Sequence, residues 1–179
     1  MDVNRVSPGE KIAAVAAVLL FISMFFAWFG FENVANELSD QFGVDVGASS
    51  FTFNAWESFD FIDLVLTVAI LAAVGTAFVR ASDAVVDLPL NPAVAVLGGL
   101  ATLLVLYRVI DPPGGSDREW GVFLGLILSA AVAYGGYKAM EEEGASFSGA
   151  ADRLSGGGPG DPPPPPSSTP PPPPPPPGS

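Results

Sequence analysis

The chain has 179 residues, of which 49% are hydrophobic and 15% charged, with a net charge of −12 and neither cysteine nor histidine. A soluble domain usually carries about 25% charged residues, so this composition argues against an ordinary soluble protein. The missing residue types exclude disulfides, thiol or imidazole catalysis and Cys/His zinc sites. The acidic balance argues against nucleic-acid binding, which needs a clustered basic surface.

Four apolar runs have the length that a membrane-spanning helix needs, since about 20 residues cross a hydrocarbon core of about 30 Å. They are residues 12–31, 61–79, 93–110 and 120–140. None alternates apolar and polar residues as a transmembrane β-barrel strand does. The sequence predicts an all-α membrane protein, an antiparallel bundle of four transmembrane helices. The predicted parts are a cytoplasmic N-terminus (1–11), helices at about 12–31, 55–80, 92–110 and 120–140, an outer loop (32–54) and a disordered, proline-rich cytoplasmic tail (141–179).

The first run follows Arg5 and Lys11, as the apolar core of a signal peptide does. It is longer than the usual core of about 7–15 residues, and no small-x-small cleavage pattern follows closely. We therefore expect a retained membrane helix. Its aromatic end is typical of a membrane–water interface; the residues are Phe25, Phe26, Trp28, Phe29 and Phe31.

The outer loop has apolar residues at helical spacing, with acidic and amide residues between them. The apolar positions are Phe31, Val34, Ala35, Leu38 and Phe42. Two interpretations remain, a short amphipathic helix on the outer membrane surface or an irregular loop.

The second helix is predicted to begin at Ala55, because Asn54 and Glu57 have the spacing of a capping box. Glu57, Asp60 and Asp63 then follow at intervals of three. Carboxylates in the first turns are stabilised by the helix dipole, by about 0.3–1 kcal/mol each.

For the third helix, Asn91 is predicted as the N-cap and Pro92 as the first helical residue, where a missing N–H costs nothing. The helix leaves through Arg108 and two prolines, and Gly114 and Gly115 allow the chain to reverse.

Arg108 lies near the outer boundary, at the height where the second helix begins. We predict that it pairs with Asp63 or, as the second choice, with Asp60. The alternative is an isolated cation that reaches lipid phosphate by snorkelling. A conduction role is disfavoured, because ion pathways usually contain several ionisable groups within the membrane.

The fourth helix carries a row of small residues at intervals of four, which predicts a helix-packing face. The row is Gly121, Gly125, Ser129 and Ala133. Trp120 is predicted at the outer interface.

Orientation follows from the basic residues, because short cytoplasmic loops are enriched in Lys and Arg. With both termini in the cytoplasm, five basic residues lie inside and two outside, Arg108 and Arg118. We therefore expect a plasma-membrane protein with both ends inside. Its tail, 144–179, contains runs of five and eight prolines (162–166 and 170–177), which predict disorder with polyproline II stretches.

Three stretches resemble uncharacterised four-helix integral membrane proteins of actinobacteria: FNAWESFDFID (53–63), YRVIDPP (107–113) and GVFLGL (121–126). The resemblance covers about 12–140. It implies a plasma-membrane location and no assigned catalytic activity.

The sequence favours a non-enzymatic structural or interaction protein that displays its proline-rich tail to a cytoplasmic partner, or uses it as a spacer. The alternative is a subunit of a transport or channel assembly. No nucleophile–base pair or paired intramembrane aspartates indicate an enzyme. We expect no cofactor and no metal site, and the sequence leaves homo-oligomerisation open.

Overall fold

A computed structural model describes residues 3–43, 52–58, 61–82 and 88–155. This part of the chain is mostly helical. The helices are α1 (Pro8–Ser23), α2 (Glu32–Phe42), α3 (Ala55–Ser58), α4 (Phe61–Ala81), α5 (Leu90–Ile110), α6 (Trp120–Glu142) and α7 (Phe147–Leu154). The strands are β1 (Ala27–Gly30), β2 (Thr52–Asn54) and β3 (Asp117–Arg118).

Helix α1 begins four residues before the predicted position and ends eight residues earlier. Ser7 is its N-cap: the Ser7 hydroxyl accepts from the Glu10 N–H at 3.2 Å, and the Glu10 carboxylate accepts from the Ser7 N–H at 2.8 Å. Pro8 occupies the first helical position, where its missing N–H is harmless. The capping box starts α1 at Pro8, so the apolar run that begins at residue 12 lies inside a helix that has already started.

The aromatic segment after α1 is a strand, so the all-α prediction and the helix at 12–31 are wrong here. β1 is the central strand of a three-stranded antiparallel sheet, between β2 and β3. Two further backbone hydrogen bonds hold β1 and the residues before it. The Ala55 N–H donates to the Met24 carbonyl at 3.1 Å, and the Glu119 N–H donates to the Trp28 carbonyl at 3.0 Å. Aromatic residues favour strands when such partners are present.

The segment predicted as the outer loop contains a helix, which confirms the helical interpretation, and its place on the outer membrane surface stays a prediction. α2 buries Ala35 and leaves Val34 and Phe42 exposed. It ends at Gly43, whose positive φ of 64° suits a glycine cap. The predicted capping box before α3 is present: the Glu57 N–H donates to Asn54 Oδ1, and the Asn54 N–H donates to Glu57 Oε2, both at 3.1 Å.

Helix α5 begins at Leu90, so Asn91 and Pro92 are not its cap and first residue. Pro89 is the N-cap and makes no side-chain capping bond. The Asn91 amide is instead buried and donates to the Glu10 carboxylate of α1. At the other end, Arg118 donates to the carbonyls of Val109 and Ile110, the latter at 3.0 Å. This contact satisfies carbonyls that the end of a helix leaves open.

Four helices pack in a ring in which α1 contacts α4 and α6, and α5 contacts the same two helices. Neighbours run antiparallel: Gly98 of α5 lies against Ala133 of α6, and Ala95 against Gly136. Three of the four, α4, α5 and α6, are long and apolar enough to cross a membrane. The prediction is confirmed for these three in length and apolar composition, and the crossing itself stays a prediction. α1 has 16 residues, about 24 Å, and β1 follows it in the chain after three residues.

The predicted tail is helical at its beginning. α6 extends to Glu142, and α7 covers Phe147–Leu154. The prediction of a disordered tail from 141 onward is therefore wrong as far as Leu154. Both proline runs lie outside the described residues.

Candidate functional site

The surface of the bundle is apolar, whereas its interior is rich in small residues. Exposed large apolar side chains occur on all four bundle helices: Val15, Val18, Leu19, Leu64, Leu71, Val96, Leu103, Phe123 and Ile127. Buried alanines line the interior: Ala13, Ala16, Ala17, Ala69, Ala73, Ala95, Ala101 and Ala139. A water-soluble bundle has the opposite arrangement. This pattern is typical of helices that pack through small residues and turn large ones to lipid.

Helix α6 is held on two faces by close backbone approaches. A Cβ atom on Gly135 would lie 2.5 Å from the Ala13 nitrogen of α1, and one on Gly136 would lie 2.6 Å from the Ala95 nitrogen of α5. Only glycine permits these distances.

The predicted row of small residues on α6 meets more than one neighbour. Gly121 and Gly125 face the Trp28 ring, Ser129 is fully buried, and Ala133 lies against Gly98. The Trp28 indole donates to the Ser23 carbonyl at 2.8 Å. Gly121 and Gly125 therefore create the space for this buried ring.

Hydroxyl groups inside the bundle bond to carbonyls of their own helices. The bonds run from Ser23 to Leu20 (2.8 Å), Thr76 to Ala72 (2.7 Å), Thr102 to Gly98 (2.7 Å) and Ser129 to Leu126 (3.0 Å). Each of these hydroxyls thus has a hydrogen-bond partner within its own helix.

The main buried polar group lies where α1 begins, at what we call the basal end. Glu10 is only 3% exposed. Its Oε1 accepts from Arg80 Nε of α4 at 3.1 Å and from Asn91 Nδ2 of α5 at 3.3 Å. Because Oε2 accepts the capping bond from Ser7, one carboxylate joins three helices.

Helix α6 is tied to the same place by two further acidic residues. Arg80 also pairs with Glu143, and the Gly9 N–H donates to Glu142 Oε2 at 3.1 Å. We call Glu10, Arg80, Asn91 and Glu143 the Glu10 cluster. It connects all four bundle helices at the basal end.

The contacts of the Glu10 cluster join the ends of the bundle helices to one another. The Glu10 carboxylate accepts three hydrogen bonds, and Arg80 is shared between two carboxylates. Beside it, a cavity of about 550 Å³ opens between residues 88–92 and α7, with Arg80 and Glu143 at its edge. Across the described ranges, no group of three or more acidic side chains is arranged so that it could hold a metal ion.

At the opposite end, which we call the sheet end, Asp63 is buried with 6% exposure and Arg108 is half-buried. The Arg108 guanidinium carbon lies 5.8 Å from the centre of the Tyr107 ring. Asp60 lies outside the described residues. The pairing of Arg108 with an aspartate stays a prediction.

Sequence reasoning missed the Glu10 cluster, although one of its signals was present. The segment SPGE (7–10) is a capping box with proline at the first helical position, and it marks the true start of α1. No local pattern links Glu10 to Asn91, which is 81 positions away.

No protein-family model matches this chain, and no curated protein or solved structure is similar to it.

Proposed function

We propose that this protein is a non-enzymatic integral membrane protein that holds two interaction segments on opposite sides of the plasma membrane. The sheet end carries the acidic helix α2, and the basal end carries α7 and the proline-rich segment that follows it. The bundle fixes their positions in the bilayer.

The observation that carries this proposal is the outward apolar surface of all four bundle helices. Leu71, Leu103 and Ile127 are each more than 60% exposed near the middle of their helices. Such a surface would be a severe liability in water but is the normal surface of a helix in lipid. The main buried ions, in contrast, lie near the helix ends.

We further propose four membrane crossings with both termini in the cytoplasm. The first crossing consists of α1 continued by β1. Non-helical backbone at membrane depth requires partners within the protein, and the bonds to Met24 and Trp28 supply them. The basal end is then cytoplasmic, in agreement with the excess of basic residues there. Membership of the actinobacterial group that the sequence resembles belongs to the same proposal.

The proline-rich tail is the segment best suited to a cytoplasmic protein partner. Proline runs bind aromatic grooves at a low entropic cost, because the free segment is already extended. Partner binding by the tail is therefore the proposed activity, and the bundle is its membrane anchor.

The test compares the full chain with a variant that ends at Ser155. Both are purified from native membranes, and the co-purifying proteins are identified by mass spectrometry. A protein retained by the full chain, lost from the shorter variant and bound directly by a synthetic peptide of 156–179 supports the proposal. Identical co-purifying proteins in the two preparations would contradict it.

A transport or channel subunit is the second candidate, and it requires a wet pathway. Hydroxyls that bond to their own helices offer little to a permeating ion. Flux of ions or small solutes in proteoliposomes that contain the purified chain would favour this candidate over the first.

A further inference from the structure

Exposed aromatic side chains gather at the sheet end of the bundle. Phe25 and Trp56 contact each other with ring centres 6.1 Å apart, and Phe26 and Trp120 lie 4.9 Å apart. Tyr107 lies at the same end of α5, and its hydroxyl donates to Asp111 at 3.0 Å. We call Phe25, Phe26, Trp56, Tyr107 and Trp120 the aromatic belt. Each ring is at least 38% exposed.

The aromatic belt lies where the apolar helix surface meets charged residues. Trp56 is followed by Glu57, and Trp120 follows Glu119. Both tryptophans stand at the start of a helix, α3 and α6 respectively. An amphipathic ring at such a transition is suited to the glycerol and carbonyl layer of a bilayer.

The opposite boundary is marked at the basal end. Tyr137 is exposed on α6, and its hydroxyl donates to Glu141 at 2.8 Å. Arg80 and Asn91 belong to the Glu10 cluster at the same level. Polar groups, of which Tyr137 and Arg80 are exposed and Asn91 is buried at the helix start, therefore limit the apolar surface on both sides.

The two boundaries are closer together than an average membrane requires. Trp120 and Tyr137 are 17 positions apart, about 25 Å along a helix. Asn91 and Tyr107 are separated by about 24 Å on α5, at about 1.5 Å per residue. Phe61 is not part of the belt, but it is the exposed first residue of α4 at the sheet end, and it is separated from Arg80 by about 28 Å. An average hydrocarbon core is about 30 Å thick.

From these distances we propose that the protein fits a thin bilayer, with a hydrocarbon core of about 24–28 Å, and that the aromatic belt anchors it at the glycerol and carbonyl layer of one leaflet. The inference rests on the bilayer location proposed above. A thicker membrane would force the belt or the Glu10 cluster into hydrocarbon, or the lipid would have to thin around the protein.

The test uses tryptophan fluorescence, because the chain has three tryptophans and Trp28 is fully buried. The full chain and the variants Trp56→Phe, Trp120→Phe and Trp56→Phe/Trp120→Phe are reconstituted into phosphatidylcholine vesicles. Brominated lipids carry the quencher either near the carbonyls or in the middle of the chain. A second series varies the acyl chains from fourteen to twenty-two carbons and measures relative lipid binding by competition with brominated lipid.

We expect Trp56 and Trp120 to be quenched at least about twofold more by the shallow bromines than by the deep ones. The double variant, which retains only Trp28, should lose less than about a tenth of its emission, since the protein shields this ring. Lipid binding should be strongest at fourteen to sixteen carbons and fall at least about twofold by twenty-two.

The failures are distinguishable. Stronger quenching by deep bromines, or an optimum at eighteen carbons or more, would overturn this inference and leave the bilayer location intact. No quenching of any variant at either depth would overturn the bilayer location itself.

Discussion

At the scale of single residues, Glu10 has the largest structural role, because its carboxylate joins α1, α4 and α5 at once. It is nearly inaccessible to water, whereas Arg80 is 43% exposed. If Glu10 is lost, water can replace part of its hydrogen bonding to Arg80. The Asn91 amide is buried, so water cannot replace the hydrogen bond that it loses.

We expect Glu10→Ala to lower the free energy of unfolding by about 2 kcal/mol, because it removes three hydrogen bonds and leaves the Asn91 amide buried. Unfolding by denaturant in detergent micelles measures this loss. Glu141→Gln is the matched control, since Glu141 is an exposed carboxylate at the same end, and it should change stability by less than about 0.5 kcal/mol. Equal losses of stability in the two variants would show that the hydrogen bonds of Glu10 to α4 and α5 do not stabilise the bundle.

A substitution at Asn91 can distinguish two roles of its side chain, a helix cap and a buried donor to Glu10. Aspartate is as good an N-cap as asparagine, so Asn91→Asp would be neutral at a cap. In the Glu10 cluster it places a second carboxylate beside Glu10, and we expect a loss of about 2 kcal/mol or more. The measurement is the same unfolding experiment. A neutral result would restore the capping interpretation.

Arg108 and Asp63 can be tested by charge reversal at the sheet end. If they pair, Arg108→Asp and Asp63→Arg should each reduce the yield of folded protein, and the double reversal should recover at least half of it. Double-mutant coupling between contacting residues is about 0.5–3 kcal/mol. A double variant no better than the single ones would show that the two residues do not pair.

At the scale of the elements, the contact between α5 and α6 requires glycine at position 98 but not at position 99. A Cβ on Gly98 would lie 2.6 Å from the Ala133 nitrogen, whereas one on Gly99 would meet open space. Gly98→Ala must therefore push two backbones apart, and Gly99→Ala only adds a methyl group on the outside.

We expect Gly98→Ala to lower the free energy of unfolding by about 1–3 kcal/mol, and Gly99→Ala to change it by less than about 0.5 kcal/mol. Both variants have the same composition and lie on the same helix, so the pair controls for helix propensity. Similar losses in the two would show that α5 does not approach α6 through Gly98.

The elements also show what the sequence could predict. α4, α5 and α6 follow from unbroken apolar runs, and the capping box at Asn54 follows from spacing alone. β1 could not be predicted, because Trp28 and Phe29 suit a helix and a strand equally until β2 and β3 pair with them. The role of Asn91 was missed because a capping rule considers only sequence neighbours, whereas its partner Glu10 lies on another helix.

At the scale of the whole molecule, the proposed bilayer location depends on what covers the exposed apolar surface. Lipid explains the large residues outside, the alanines and glycines inside, and the ions near the helix ends. It also explains the short distance between the aromatic belt and the basal end. If water covered this surface, none of these features would have a common cause.

The most direct measurement uses the absence of cysteine. Single variants Glu37→Cys, Leu71→Cys, Ile127→Cys and Ser155→Cys are treated in intact cells and in permeabilised membranes with a membrane-impermeant maleimide, which reacts with the thiolate in water. We predict labelling of Glu37→Cys in intact cells, of Ser155→Cys only after permeabilisation, and of Leu71→Cys and Ile127→Cys in neither, although both side chains lie on the surface of the protein. Rapid labelling of the last two in permeabilised membranes would mean that water covers the bundle, and would contradict the account.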